Sequence, residues 1–175
     1  ELLDFAALLH DAGYSINRRK HHKHSRYLIE QSDWHSFQPV EVTMMAMIAR
    51  YHRGALPKKS HKLYRDLNKK QKRQVRQLSA FLRLAEGLDR SHSQNVSEMK
   101  VQTDSDRIKI TIRTREDPQM ELWGARHAAD LLESEFEREV VVAAAWERRA
   151  STNSNGKPAN GLAALKEASP EKSGP

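Results

Sequence analysis

The sequence predicts a mainly α fold that closes with a small α+β unit and a disordered tail. Three observations predict it. Apolar residues recur at helical spacing from Leu2 to Asp89; Ile108, Ile110 and Ile112 then alternate with Lys109 and Thr111; and Ala150 to Pro175 is built of Ser, Asn, Gly, Pro and Lys with few apolar residues. These shifts divide the chain into a helical domain at 1–95, a small α+β domain at 96–149 and a tail at 150–175. A length of 175 residues suits one domain with a small appendage and can bury a sizeable core.

The first helix is read over residues 1–11, where Leu2, Phe5, Ala6 and Leu9 follow the i, i+3, i+4, i+7 rule and Gly13 is a stop. A basic loop follows at Asn17-Arg18-Arg19-Lys20. The second helix runs from His22 to Gln31, with His21, His24 or Ser25, and Leu28 on one face. Ser32-Asp33 and Gln38-Pro39 break the pattern, and Trp34 and Phe37 pack between them. A third helix spans about Pro39 to Arg53, since proline suits a first turn. Its buried stripe is Met45, Ile48, Ala49 and His52, and Gly54 and Pro57 end it.

The fourth helix begins inside the basic stretch 58–76. Val75, Leu78, Leu82, Ala85 and Asp89 form a continuous stripe, which places the Asp89 carboxylate on the buried side, where it needs a cation or a hydrogen-bond donor. Val96 to Val101 and the Ile108–Ile112 alternation are strands, joined by a turn at Thr103-Asp104-Ser105-Asp106. Leu122, Ala125, Ala129, Leu132 and Phe136 mark an amphipathic helix, and Val140 to Trp146 is a last strand. The β-β-α-β order is that of a small α+β unit. Trp34, Trp123 and Trp146 are core or interface residues.

Composition narrows the chemistry. The absence of cysteine excludes disulfides and thiolate catalysis. No apolar run approaches the roughly 18 residues that span a bilayer, and no signal-peptide pattern is present, so no membrane partner is expected. Glu1-Leu2-Leu3-Asp4-Phe5 opens mid-pattern without an initiator Met, which predicts a piece of a longer protein. The net charge of +7 points to an anionic partner. Lys58, Lys59, Lys62, Arg65, Lys69, Lys70, Lys72, Arg73 and Arg76 face Asp66 alone, an excess of +8 that surpasses that of the whole chain.

The candidate chemistry starts at Leu8-Leu9-His10-Asp11-Ala12-Gly13. Imidazole and carboxylate are the ligand types a hard or borderline divalent metal accepts. His21, His24, His52 and Asp89 each lie on the apolar side of a predicted helix, so His10, Asp11, His21, His24, His52 and Asp89 are the candidate metal ligands. The bland alternative for His10 and Asp11 is a hydrogen bond that fixes the helix end. For His52 and Asp89 it is a buried structural pair. Between His21 and His24 the spacing leaves open which is a ligand and which bonds a carbonyl. His22, His35 and His61 read as surface histidines. The basic run is either a solvated face or a phosphate-binding surface, with Arg50 and Arg53 added to Lys58, Lys59, Lys62, Arg65, Lys69, Lys70, Lys72 and Arg73. Nucleic acid is the less favoured partner, because only Tyr64 interleaves an aromatic ring for base stacking.

The spread of these His and Asp residues over separate helices resembles the HD-domain superfamily of metal-dependent phosphohydrolases. The resemblance implies an HD-like helical bundle holding magnesium or another divalent ion. Leu8-Leu9-His10-Asp11-Ala12-Gly13, His21-His22-Lys23-His24-Ser25-Arg26-Tyr27-Leu28-Ile29, Ala49-Arg50-Tyr51-His52-Arg53-Gly54 and Arg83-Leu84-Ala85-Glu86-Gly87-Leu88-Asp89-Arg90-Ser91-His92 together resemble, more closely, the C-terminal half of the Ppx/GppA exopolyphosphatases and guanosine pentaphosphate phosphohydrolases, over residues 1 to about 147. That resemblance implies hydrolysis of phosphoanhydrides in a cytoplasmic parent protein, by an N-terminal actin-like module whose glycine-rich loops have no counterpart here. It implies that this stretch binds inorganic polyphosphate or pppGpp and supports a homodimer. The alternative is a self-sufficient HD-type nucleotide phosphohydrolase, and a third reading is a basic nucleic-acid-binding module.

Overall fold

The computed structural model describes residues 1–146 and 164–167, which divide between two compact units, Glu1–Ala85 and Glu86–Pro175. The fold is mixed α+β: helices build the first unit, and a sheet with two short helices builds most of the second. Among the described residues no helix is long and apolar enough to cross a membrane.

In the first unit α1 (Leu2–Leu9), α2 (His21–Gln31), α3 (Pro39–Tyr51) and α4 (Lys62–Asp66) are followed by α5 (Lys69–Leu88), which continues into the second unit. The starts of α2 and α3 fall within one residue of the sequence reading. Pro39 opens α3, and the Glu41 side chain accepts the Gln38 N–H at 2.8 Å, closing a capping box.

The predicted stripe on α3 is too narrow. Met44, Met45, Ala46, Met47, Ile48, Ala49 and Tyr51 are all buried, so over residues 44–49 α3 is apolar and buried on every side. One side packs with Ala6, Tyr64, Leu67, Val75 and Leu82, and another with Ile29, Phe5, Trp34 and Phe37. On α5, Val75 and Leu82 are buried as expected, but Ala85 is exposed and Ser79 takes its place in the buried set. Helical spacing identifies a face, and neighbouring elements decide how far along the helix that face is covered. The short α4 was not read from the sequence. Its Tyr64 and the following Leu67 turn into the core, whereas Lys62 and Arg65 point outward.

In the second unit β1 (Val96–Thr103) pairs antiparallel with β2 (Arg107–Thr114), and β2 pairs parallel with β3 (Glu139–Trp146). Parallel neighbours need a crossover. It is made by α6 (Gln119–Ala128) and α7 (Asp130–Phe136), two helices in place of the single one expected, with the break at Ala129. The break preserves the stripe, since Leu122, Ala125, Ala129 and Leu132 are all buried. The Asp104 carboxylate accepts the Asp106 and Arg107 N–H groups at 2.9 and 2.7 Å, which closes the predicted β1–β2 turn. Most of the tail expected over 150–175 lies outside the described residues. Ala164–Glu167 is the exception and forms β4, antiparallel to Ala143–Trp146, where it satisfies the free edge of β3.

Candidate functional site

The first unit brings Asp11, His21 and His52 together. Asp11 follows α1, His21 opens α2, and His52 closes α3. The link from Asp11 to α2 is a one-turn 3-10 helix, Ala12–Ser15, followed by a loop to Lys20. Ser25 Oγ accepts the Gly13 N–H at 2.9 Å and donates to the His10 carbonyl, so one hydroxyl ties the turn to the helix carrying His21. The Tyr14 ring stacks on His21 with centroids 4.0 Å apart. His21 and His52 are each 2% exposed.

Hydrogen bonding orients the rings. His52 Nδ1 lies 2.6 Å from the Ala49 carbonyl, His21 Nδ1 3.2 Å from that of Arg18, and His10 Nδ1 2.5 Å from that of Ala7. A carbonyl only accepts, so the Nδ1 atoms donate and the Nε2 atoms of neutral rings carry lone pairs. Those lone pairs converge. His21 Nε2 is 3.1 Å from His52 Nε2 and 3.1 Å from Asp11 Oδ1, and His52 Nε2 is 3.8 Å from the same oxygen. Three acceptors facing one another repel unless a proton or cation lies among them. Ligands about 2.0–2.2 Å from a common ion stand about 3.0–3.6 Å from each other; two of the three separations here fall in that range and the third, at 3.8 Å, is slightly wider, so these groups could hold a metal ion after a small adjustment. His10 borders it, with Nε2 3.4 Å from Asp11 Oδ2 and its ring 4.8 Å from that of His52.

The other candidates are placed differently. His24, three residues beyond His21, is half-buried and outside the Asp11–His21–His52 group. Asp89 belongs to the second unit, where it is half-buried and its Oδ1 accepts the Gln94 N–H at 3.2 Å. Of the basic set, Arg53, Lys58, Lys59, Lys62, Arg65, Lys69, Lys70 and Arg73 are exposed, and Arg50 and Lys72 are half-buried.

His35 is a surface histidine as expected, but His22 and His61 are not. His22 packs beside Gly54, whose positive φ of 72° turns the chain out of α3. Burial, then the Arg50, His21, Arg53 and Lys23 charges, push the His22 imidazole down to about 4. His61 Nδ1 meets the Tyr51 hydroxyl at 2.7 Å, and burial followed by Arg50, Lys58 and Lys23 holds it below the usual histidine range. Both histidines therefore sense a positive field centred on Arg50, a long-range effect that spacing does not reveal.

His22 yields a direct prediction. The unfolded chain binds the proton near the ordinary 6.5 and the fold only near 4. The stability associated with neutral His22 is therefore complete above 6.5 and declines as pH falls towards 4. A ring-proton NMR titration is expected to show a midpoint near 4 that moves up in Arg50→Gln; a midpoint at 6.5 in the wild type would contradict this.

Residues 1–140 match the family described as Ppx/GppA phosphatase, domain III. The chain belongs to the Ppx/GppA phosphatase family. The match covers the whole first unit and most of the second, including α6, α7 and the start of β3. In this Ppx/GppA domain III the motifs around His10, His21 and His52 form one constellation. The sequence missed Arg26, on α2. Its pairing with Glu30 at 3.0 Å was legible from the i, i+4 spacing, but its position beside Arg50 and Lys62 was not.

Proposed function

We propose that this chain is the C-terminal portion of an exopolyphosphatase or guanosine pentaphosphate phosphohydrolase, in which it grips the polyanionic substrate and supports dimerisation. The catalytic displacement at phosphorus then belongs to another part of the parent protein. The helices of the first unit are read as an HD-like bundle, and the partner is inorganic polyphosphate or pppGpp. One observation carries the reading: in a chain of this phosphatase family, nearly all the Lys and Arg of 50–73 are exposed, with Asp66 the lone acid among 58–73. Cations in such a row release counterions from a phosphate chain, so binding weakens steeply with salt.

The test is phosphate release and polyphosphate binding by the 175-residue chain, with magnesium or manganese present. The expected result is no turnover, with polyphosphate affinity falling about tenfold or more between 50 and 200 mM salt. Binding that ignores salt would overturn the grip, and a sedimentation profile of monomer alone would overturn dimerisation.

A second reading is supported by the acceptor convergence at Asp11, His21 and His52: a self-sufficient HD-type metallohydrolase. There magnesium or another divalent ion would be held by these three groups, with His10 beside them. When bound, such an ion polarises a phosphoryl oxygen or lowers the pKa of a water. Chelator-sensitive turnover by this chain would establish it in place of the first reading. A His10→Ala, Asp11→Ala double variant of the parent separates them further, since activity survives under the first reading and vanishes under the second.

A further inference from the structure

In the second unit the sheet runs β1-β2-β3-β4, so β1 forms a border of the sheet with no described strand beside it. Ser97 to Thr103 are all exposed. A long exposed edge is a template for a further strand. The pairing of β1 with β2 fixes which backbone groups it offers. The Asp104 N–H donates to the Arg107 carbonyl at 3.0 Å, one step beyond the paired strands. Backbone groups alternate sides along a strand, so Gln102, Lys100 and Glu98 turn theirs to β2. Met99 and Val101 turn N–H and C=O to the open side.

The side chains alternate as well. Met99 and Val101 stand opposite Ile112 and Ile110 of β2, on one face of the sheet. Both isoleucines are buried, whereas Met99 is 55% and Val101 52% exposed. The apolar stripe of this face therefore runs past the part that the unit covers, onto the open strand. Glu98 and Lys100 point to the other face, and they are the only charged residues of β1.

A second copy of the chain is the occupant this pattern fits. Two identical strands pair antiparallel about a two-fold axis, and the position of the axis sets every opposite pair. An axis at Glu98 or at Lys100 brings like charges face to face, which destabilises a sheet. An axis at Met99 sets Glu98 of each copy opposite Lys100 of the other, twice. The same register matches outward backbone groups with outward backbone groups. It also leaves Glu98 and Lys100 at the non-hydrogen-bonded positions, where side chains approach more closely. Met99 and Val101 of both copies then form one apolar strip across the junction. Backbone phase, apolar match and charge agree on one register.

We propose that β1 is a self-complementary edge through which two copies of this chain join their sheets, antiparallel and centred on Met99. The proposal deepens the dimerisation put forward above by giving it a surface, a strand register and an axis, and its argument stands on β1 and β2 alone.

The experiment is sedimentation of the 175-residue chain over about 1 to 200 µM, the weak range that suits an interface below about 1,200 Å². The mass is expected to rise with concentration from 20.1 kDa towards twice that value. Glu98→Lys alone and Lys100→Glu alone should each weaken self-association at least about tenfold, since two attractive pairs become repulsive. An equimolar mixture of the two variants should associate as well as wild type, because their charges complement each other; this recovery also shows that both variants fold. Met99→Cys tests the register in a chain that has no other cysteine. Residues facing each other at a hydrogen-bonded position stand about 5.5 Å apart, within disulfide reach. Met99→Cys should therefore form a linked dimer on mild oxidation at least about tenfold faster than Val101→Cys. Self-association untouched by both charge variants would overturn the β1 surface and leave dimerisation standing. Faster linkage through Val101→Cys would overturn the register. A monomer at every concentration would overturn both the surface and the dimer.

Discussion

Gly13→Ala is expected to lower the unfolding free energy of the first unit by about 3 kcal/mol, the upper end of the cost of forcing atoms into a packed interior. An added Cβ would lie 2.2 Å from the His21 carbonyl oxygen, 2.5 Å from the Ser25 nitrogen and 2.8 Å from the His24 Cβ. Two of these three are backbone atoms of α2, so no side chain can swing aside. Relief requires α2 to move from the turn, which breaks the paired bonds of Ser25 to Gly13 and His10 and carries His21 away from Asp11 and His52. The effect is therefore twofold. Urea denaturation should show a lower midpoint, and any divalent-ion affinity of the chain should fall with it. A wild-type midpoint in Gly13→Ala would mean that α2 does not approach the turn this closely.

Gly124→Ala is expected to cost the second unit about 3 kcal/mol as well, and the sign is the informative part. At an exposed helix position alanine is better than glycine by about 1 kcal/mol. Gly124 lies within α6, yet the new Cβ would stand 2.3 Å from the Gly87 carbonyl oxygen and 2.9 Å from the Arg90 Cβ. The reciprocal change meets the same obstacle, with the Gly124 carbonyl oxygen 2.6 Å from a Cβ at Gly87. The two glycines let the end of α5 and α6 approach backbone to backbone. Thermal unfolding followed by circular dichroism should show a clear drop in Tm for either single variant. A rise in Tm for Gly124→Ala would mean that helix propensity outweighs contact there.

The candidate site was legible in part, for reasons particular to each residue. His21 and His52 were readable because each is a polar residue in line with apolar neighbours, a position that demands a partner. His24 shares that spacing with His21, but a three-residue step turns a side chain by about 60° from its predecessor, enough to leave His24 half-buried and outside the cluster. His61 stood in a run of lysines and read as surface, although the Tyr51 hydroxyl draws it inward. Ala85 looked like a core residue from its spacing and is exposed.

By itself the sequence determined the order of the helices and strands apart from α4, the division of α6 from α7 and β4, together with the 2.0 and 3.6 periodicities that separate the two units, the basic character of 58–76 and the motifs of the Ppx/GppA family. All of these depend on residues close together in the chain, where periodicity and turn chemistry act. Only the tertiary structure decided that residues 44–49 of α3 are buried on every side, that the helix after β2 breaks at Ala129, that the acceptor atoms of His21 and His52 meet Asp11 Oδ1, and that Arg26 joins Arg50 and Lys62 around one groove. Those features arise when distant segments pack, and a spacing rule carries the direction of a side chain but not the identity of what it meets.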